Sequence, residues 1–347
     1  MPISITPFGN MPDGTQINRY HLWDDSGFSF DVIPYGCRML AICVPDRNGK
    51  AEDILWGYDS LEAYRTPRDS QGAIIGRNAG RIANAEMELD GVHYALVANS
   101  GRHQLHGGTG TGACFSEKLW SVKHLENHSP SITFSLLSRD GEGGFPGNLS
   151  IEVRYSLVDH HSIQIDTTAF SDKKTILNTT SHGFFNLNGY DGGSICDQML
   201  LIHADAWTVA VDDLPTGEIA GVAGTSLDFN QMKYIRWSEE EMPEGYNHNY
   251  VLRRNSQGLE EAAVLYDPAS GRSMRVVTDQ PGLQVYSAGR IPSGKIGKQG
   301  KPMLPQHAIC LEAQHFPDSV HHSHFPSILL DAGEKKQTTT IYEFTAK

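Results

Sequence analysis

Apolar and polar residues alternate with period 2 in many short runs, and this alternation constrains the fold more than any other feature of the chain. In "SITFSLL" (131–137) Ile132, Phe134 and Leu136 share one face; in "IEVRYSL" (151–157) Ile151, Val153, Tyr155 and Leu157 alternate with Glu152, Arg154 and Ser156. Successive side chains of an extended chain point to opposite sides, so each run can bury one face of a strand and leave the other wet. "MELDGVHYALV" (87–97) sets Asp90-Gly91 between two short runs, a strong hairpin signal. "DHH" (159–161) and "DAGEKKQ" (331–337) read as further turns before strands. No long stretch carries a helical period, and 35 Gly and 17 Pro punctuate the runs. An all-β chain follows, its strands assembled in large stacked antiparallel sheets rather than a small barrel. With no internal repeat and no linker, residues 1–347 read as a single domain, and "SGKIGKQGKP" (293–302) as its most flexible segment.

Composition narrows the function. A hydrophobic content of 39% with 20% charged residues is that of a globular chain. A formal charge of −13 argues against nucleic acid and anionic membranes as partners, since both recruit Lys and Arg. "MPISITPFGN" lacks a basic region followed by an apolar one, and no apolar run reaches the length of a membrane span, so a cytoplasmic location is expected. The five cysteines (Cys37, Cys43, Cys114, Cys196, Cys310) are odd in number and scattered, which fits reduced thiols and no zinc spacing.

One strand asks a chemical question. In "AICLEAQHFP" (308–317) Ile309, Leu311 and Ala313 form one face and Cys310, Glu312 and Gln314 the other. A wet face would mix Lys, Thr, Ser and Glu; a lone carboxylate between Cys and Gln suggests a second inward face that looks onto something polar. Other stretches also carry reactive or hydrogen-bonding side chains. "IIGRNAGRIANA" (74–85) holds Arg77 and Arg81, and "HQLHGG" (103–108) sets His106 before two glycines. "NTTSHGFFNLNG" (178–189) holds His182, and "GYNHNYVLR" (245–253) clusters amides and imidazole between aromatic rings. Taken singly, each has a structural reading: Arg81 as an ion-pair partner, His106 and His182 as loop histidines, Asn247 as a turn former.

Taken together and in order, "AGRI … QLHGG … SHGFFNLNG … LPTGEI … YNHNYVL … CLEAQHFPDS" resembles the aldose 1-epimerases, the galactose mutarotases, from about residue 56 to residue 344. The resemblance implies a large antiparallel β-sandwich with an open sugar cleft on the concave face of one sheet. It implies interconversion of the α and β anomers of a free aldohexose such as glucose or galactose, with no metal or organic cofactor. By motif, Glu312 becomes the base at the anomeric hydroxyl and His182 the acid at the ring oxygen, one on each side of a single carbon. Arg81, His106 and Gln284 match sugar contacts, and His106 can share acid work with His182. Gln314 borders the same cleft because it lies two residues from Glu312 on one strand face.

Two positions leave the family pattern. Asn247 stands where most relatives have Asp, and Gly80 where many have Asn. An amide keeps one acceptor and replaces the other with a donor, so Asn247→Asp is expected to lower KM by restoring a charge-assisted bond to two sugar hydroxyls. Alternative readings are a non-catalytic carbohydrate-binding protein of the same fold and a hexose-6-phosphate 1-epimerase, for which Lys295, Lys298 and Lys301 are candidate phosphate contacts but read better as a solvated loop. A glycosidase needs two carboxylates, and only Glu312 has motif support. "HHSHF" (321–325) fits no standard metal spacing, and the pattern places no carboxylate near it. The partner expected is a small monosaccharide, for a monomer or homodimer.

Overall fold

The computed structural model describes residues 2–65, 70–159, 161–238, 240 and 242–347. Its backbone is built from antiparallel strands. A nine-stranded sheet runs in the spatial order Ser121–Glu126, Ser131–Ser138, Leu149–Val158, Ser162–Ser171, Lys335–Ala346, Arg272–Thr278, Glu260–Tyr266, Met199–Ile202 and Lys233–Tyr234. A five-stranded meander covers Ile3–Asn10 to Ala51–Asp53. A second five-stranded sheet, in the order Leu214–Gly221, Ala204–Val211, Asn247–Leu252, Gly282–Tyr286 and Cys310–Gln314, carries the chemistry described below. Among the described residues, α-helix is confined to Leu61–Tyr64, and no helix is long and apolar enough to cross a membrane.

The alternation read from sequence is the burial pattern observed. Ile132 and Phe134 are fully buried, as are Ile151, Val153 and Tyr155 opposite them. They join Leu283, Val285 and Leu311 from the second five-stranded sheet, and Ile309 just before its last strand, in the main apolar core. The Asp90-Gly91 hairpin forms as expected: Glu86–Leu89 pairs with Val92–Ala95, and the two turn residues take φ of 51° and 77°. Residue 160, in the turn read at 159–161, lies outside the described residues. The turn at 331–334 leads into the final strand.

Most of the 293–302 segment is exposed, in keeping with a solvated loop, but its central lysine is not. Lys298 is buried, and its ammonium donates to Asp53 Oδ2 at 2.5 Å and to the Leu55 carbonyl at 2.8 Å. Lys301 pairs with Asp191 at 2.9 Å. Of the three lysines only Lys295 lines the cleft, so the cations do not converge into a phosphate cradle.

Candidate active site

The strand Cys310–Gln314 is buried on both faces, which answers the question its sequence posed. Ile309, Leu311 and Ala313 enter the main core, whereas Cys310 packs in a separate apolar cluster with Phe184 and Trp56. Glu312 is 2% exposed at the floor of a cleft of about 940 Å³. Register assembles the rest of that floor: Gln284 lies opposite Glu312, Asn249 opposite Gln284, and Asn247 opposite Tyr286. Across an antiparallel sheet, opposed residues share a face, so amides from three strands gather beside the carboxyl.

His182 and His106 arrive from loops. His182 follows the short strand Thr180–Ser181, with its ring stacked on Phe184 at 4.9 Å between centroids and Nε2 3.8 Å from Glu312 Oε1. His106 ends the strand pair formed by Arg81–Ile82 and Gln104–Leu105, and its ring meets that of His182 edge-on at 5.4 Å. Gly107, next in sequence, has φ +70°, and a Cβ there would sit 2.3 Å from the Gly76 carbonyl oxygen, so only glycine makes the turn that presents His106. Gly80 likewise has φ +75°, and a Cβ there would press on the Pro317 ring at 2.9 Å, which favours glycine at this position.

Electrostatics differentiate these groups. Burial pushes the Glu312 carboxyl up to about 8, and its Oε2 accepts no hydrogen bond among the described residues. Removal from water, together with His182 and Arg81, holds His106 well below the ordinary imidazole value. His106 is therefore neutral near pH 7 and not poised to share acid work. Its Nδ1 accepts from the Gly80 N–H at 3.3 Å, which places the ring proton on Nε2 as a hydrogen-bond donor. The side chains of His182, Cys310 and Glu312 bring potential ligand atoms within 4.8 Å of one another. Burial raises the Cys310 thiol as well as the Glu312 carboxyl, so a metal ion would have to displace protons from both.

All seven residues singled out by sequence, Glu312, His182, Arg81, His106, Asn247, Gln284 and Gln314, line this one cleft. Arg77 does not: its guanidinium turns inward and donates to the carbonyls of Ser138, Arg139, Pro146 and Gly147. The acid–base pair also differs from its expected layout. Glu312 and His182 stand side by side rather than on opposite sides of the space a carbon would occupy. Asn247 is tied into the cleft wall: its Nδ2 donates to Asp213 Oδ1 at 2.9 Å, and its Oδ1 accepts from Gln284 Nε2 at 2.8 Å. Near "HHSHF" a carboxylate is present after all, since His321 meets Asp318 at 2.6 Å and His322 meets it at 3.7 Å, while His324 turns to the Gly217 carbonyl.

Sequence reasoning passed over Asp213, Arg290, Asn249, Phe184 and Tyr286, which also line the cleft. Period-2 spacing from Asn247 and from His182 was signal enough for Asn249 and Phe184. Asp213 and Arg290 sit in turns, and no local pattern pointed them inward.

A buried carboxyl within a few ångströms of an imidazole can move protons, so fold and site together describe an all-β protein whose cleft holds the groups that acid–base chemistry needs. The sequence from 18 to 343 matches the family model described as aldose 1-epimerase. A galactose mutarotase of Bos taurus is 36% identical over 349 residues, covering 99% of both chains, and an aldose 1-epimerase of Escherichia coli strain K12 is 31% identical over 97% of both. The crystal structure of a galactose 1-epimerase from Lactobacillus acidophilus NCFM superposes with a TM-score of 0.85 at 25% identity, over 99% of this chain and 98% of that one. The chain belongs to the aldose 1-epimerase family and is an isomerase.

Proposed function

We propose that the protein interconverts the α and β anomers of free aldohexoses, glucose and galactose among them, with Glu312 as base and His182 as acid. The observation that carries this reading is the 3.8 Å separation of His182 Nε2 and Glu312 Oε1 at the floor of a cleft that Arg81, His106, Gln284 and Gln314 also line. The anomeric hydroxyl oxygen and the ring oxygen are bonded to the same carbon, so two groups standing side by side can serve both. Glu312 takes the hydroxyl proton as the exocyclic C–O bond becomes a carbonyl; the bond from C1 to the ring oxygen breaks, and that oxygen takes a proton from His182. Rotation about C1–C2 turns the other carbonyl face toward the ring oxygen. Reclosure returns both protons to their donors, so the enzyme ends as it began.

Neutral His106 serves as a hydrogen-bond donor to a sugar oxygen, and Arg81, Gln284 and Gln314 complete the polar wall. Gln314 suits this role because its buried Oε1 has no hydrogen-bond partner among the described residues. We place the enzyme in a reducing compartment, the cytoplasm; its five free cysteines support that reading. Polarimetry of freshly dissolved α-D-glucose and α-D-galactose tests the activity. Purified protein should hasten the decay of rotation for at least one of them, with or without EDTA. A requirement for a divalent ion would refute the cofactor-free route.

A further inference from the structure

Asp213 occupies the two-residue turn joining Ala204–Val211 to Leu214–Gly221, where Asp212 and Asp213 take φ of 51° and 64°. The Asp213 side chain is only 14% exposed, although it belongs to a hairpin tip. It lies at the cleft wall, where Oδ1 accepts from Asn247 Nδ2 at 2.9 Å. Its Oδ2 receives Arg81 Nη2 at 3.0 Å and a close contact from Arg290 Nη1, and Arg290 is braced in turn by Glu244. A carboxylate offers about four lone-pair positions. Asn247 and Arg290 donate to two of them and Arg81 ion-pairs with Oδ2, which leaves acceptor capacity on Oδ1 of a residue that lines the cleft holding Glu312 and His182.

We propose that Asp213 is the charged hydroxyl acceptor of the sugar wall: Oδ1 takes a hydroxyl hydrogen of the bound aldose while the carboxylate holds Arg81 and Arg290 in place. This rests on the mutarotase reading of the cleft. It also explains Asn247. Gln284, Asn247 and Asp213 form one donor-to-acceptor chain, with each amide giving a hydrogen to the next oxygen. A carboxylate at 247 would put two anions in direct contact, and one of them would have to keep a proton. The amide at 247 and the acid at 213 are thus a single arrangement, in which the negative charge of the wall is carried by the hairpin turn rather than the strand. Asn247→Asp should therefore weaken sugar binding, the reverse of what the sequence alone suggested.

The test compares wild type, Asp213→Asn, Asn247→Asp and the double exchange Asp213→Asn/Asn247→Asp. Calorimetry gives the Kd for glucose and galactose, and polarimetry gives kcat and KM. Each single exchange should raise Kd and KM about tenfold, the worth of one hydrogen bond to a charged group, with kcat changing far less. The double exchange restores one carboxylate and one amide to the wall and should return Kd to within about threefold of wild type. One monodeoxy sugar should bind wild type about tenfold more weakly than its parent, yet bind Asp213→Asn no more weakly than the parent does. Wild-type Kd in Asp213→Asn with a lowered melting temperature would make Asp213 an ion-pair anchor only and overturn the proposal. If Asp213→Asn does not fold, Asn247→Asp decides: an unchanged or lower Kd overturns the shared-charge arrangement. Wild type that binds an aldose without turnover would refute the mutarotase reading while leaving the Kd series to decide on Asp213; wild type that binds neither sugar would sink both.

Discussion

Glu312 is the residue whose environment says most about its use. An exposed carboxyl gives up its proton near pH 4 and is a weak base at neutrality. Burial raises Glu312 to about 8, where the ionised form binds a proton several thousand times more tightly. Only the ionised form can take a hydroxyl proton, so kcat/KM should show a rising limb with pH that is governed by Glu312 near 8. A flat profile between pH 5 and 9 would place the base elsewhere. Glu312→Gln keeps shape and volume but loses basicity; kcat should fall by at least ~10²-fold with KM nearly kept, the signature of an interaction made in the transition state. Wild-type turnover in that variant would likewise move the base. The alternation around Glu312 was readable in the sequence because a strand's facing is a local property. The size of its pKa shift was not, since desolvation comes from residues far away in the chain.

At the level of elements, the site is a product of register and of two anchored loops. The Gly282–Tyr286 strand lies between Asn247–Leu252 and Cys310–Gln314, and slipping it by one residue would turn Gln284 into the core and Leu283 into the cleft. The segment after this strand contributes Ser293, Gly294 and Lys295 to the cleft wall and is pinned by Lys298 on Asp53 and the Leu55 carbonyl. Lys298→Met removes the cation and leaves Asp53 without it, at a cost of about 2–4 kcal/mol. Chemical denaturation should register that loss, and KM should rise as the wall loosens. A variant with wild-type stability would mean that the segment is held by its apolar contacts alone. "SGKIGKQGKP" did not show this in sequence, because three Gly and three Lys describe both a free loop and one whose central lysine finds a partly buried acid.

For the molecule as a whole, the same buried carboxyl is a stability cost that depends on pH. Its ordinary value is 4.5 and its folded value about 8. Below 4.5 both folded and unfolded chains keep the proton and the difference vanishes. Between 4.5 and 8 the unfolded chain releases a proton that the folded protein retains, so stability drains away as pH rises; above 8 the full cost is felt. Glutamine carries no such charge. Glu312→Gln should thus be more stable than wild type at pH 9, by an amount on the order of 1 kcal/mol or more, and nearly equal to it at pH 4.5. Thermal unfolding at the two pH values measures this directly. Equal differences at both would mean that water reaches Glu312 and relieves its burial.

Sequence alone determined the extended elements, the Asp90-Gly91 hairpin, the doubly inward strand around Glu312 and, through motif order, the side chains that meet in the cleft. Each is written in a spacing of two or in a short contiguous motif, and side-chain alternation and turn chemistry act over a few residues. Tertiary structure alone decided that Arg77 turns inward while Arg81 faces the cleft, and that His182 stands beside Glu312 instead of opposite it. It also decided that Lys298 is buried, and that the wall's carboxylate is Asp213 with Asn247 as its donor. These outcomes depend on which distant segments close on one another. The register of five strands and the path of their loops set those contacts, and no local period in the chain encodes them.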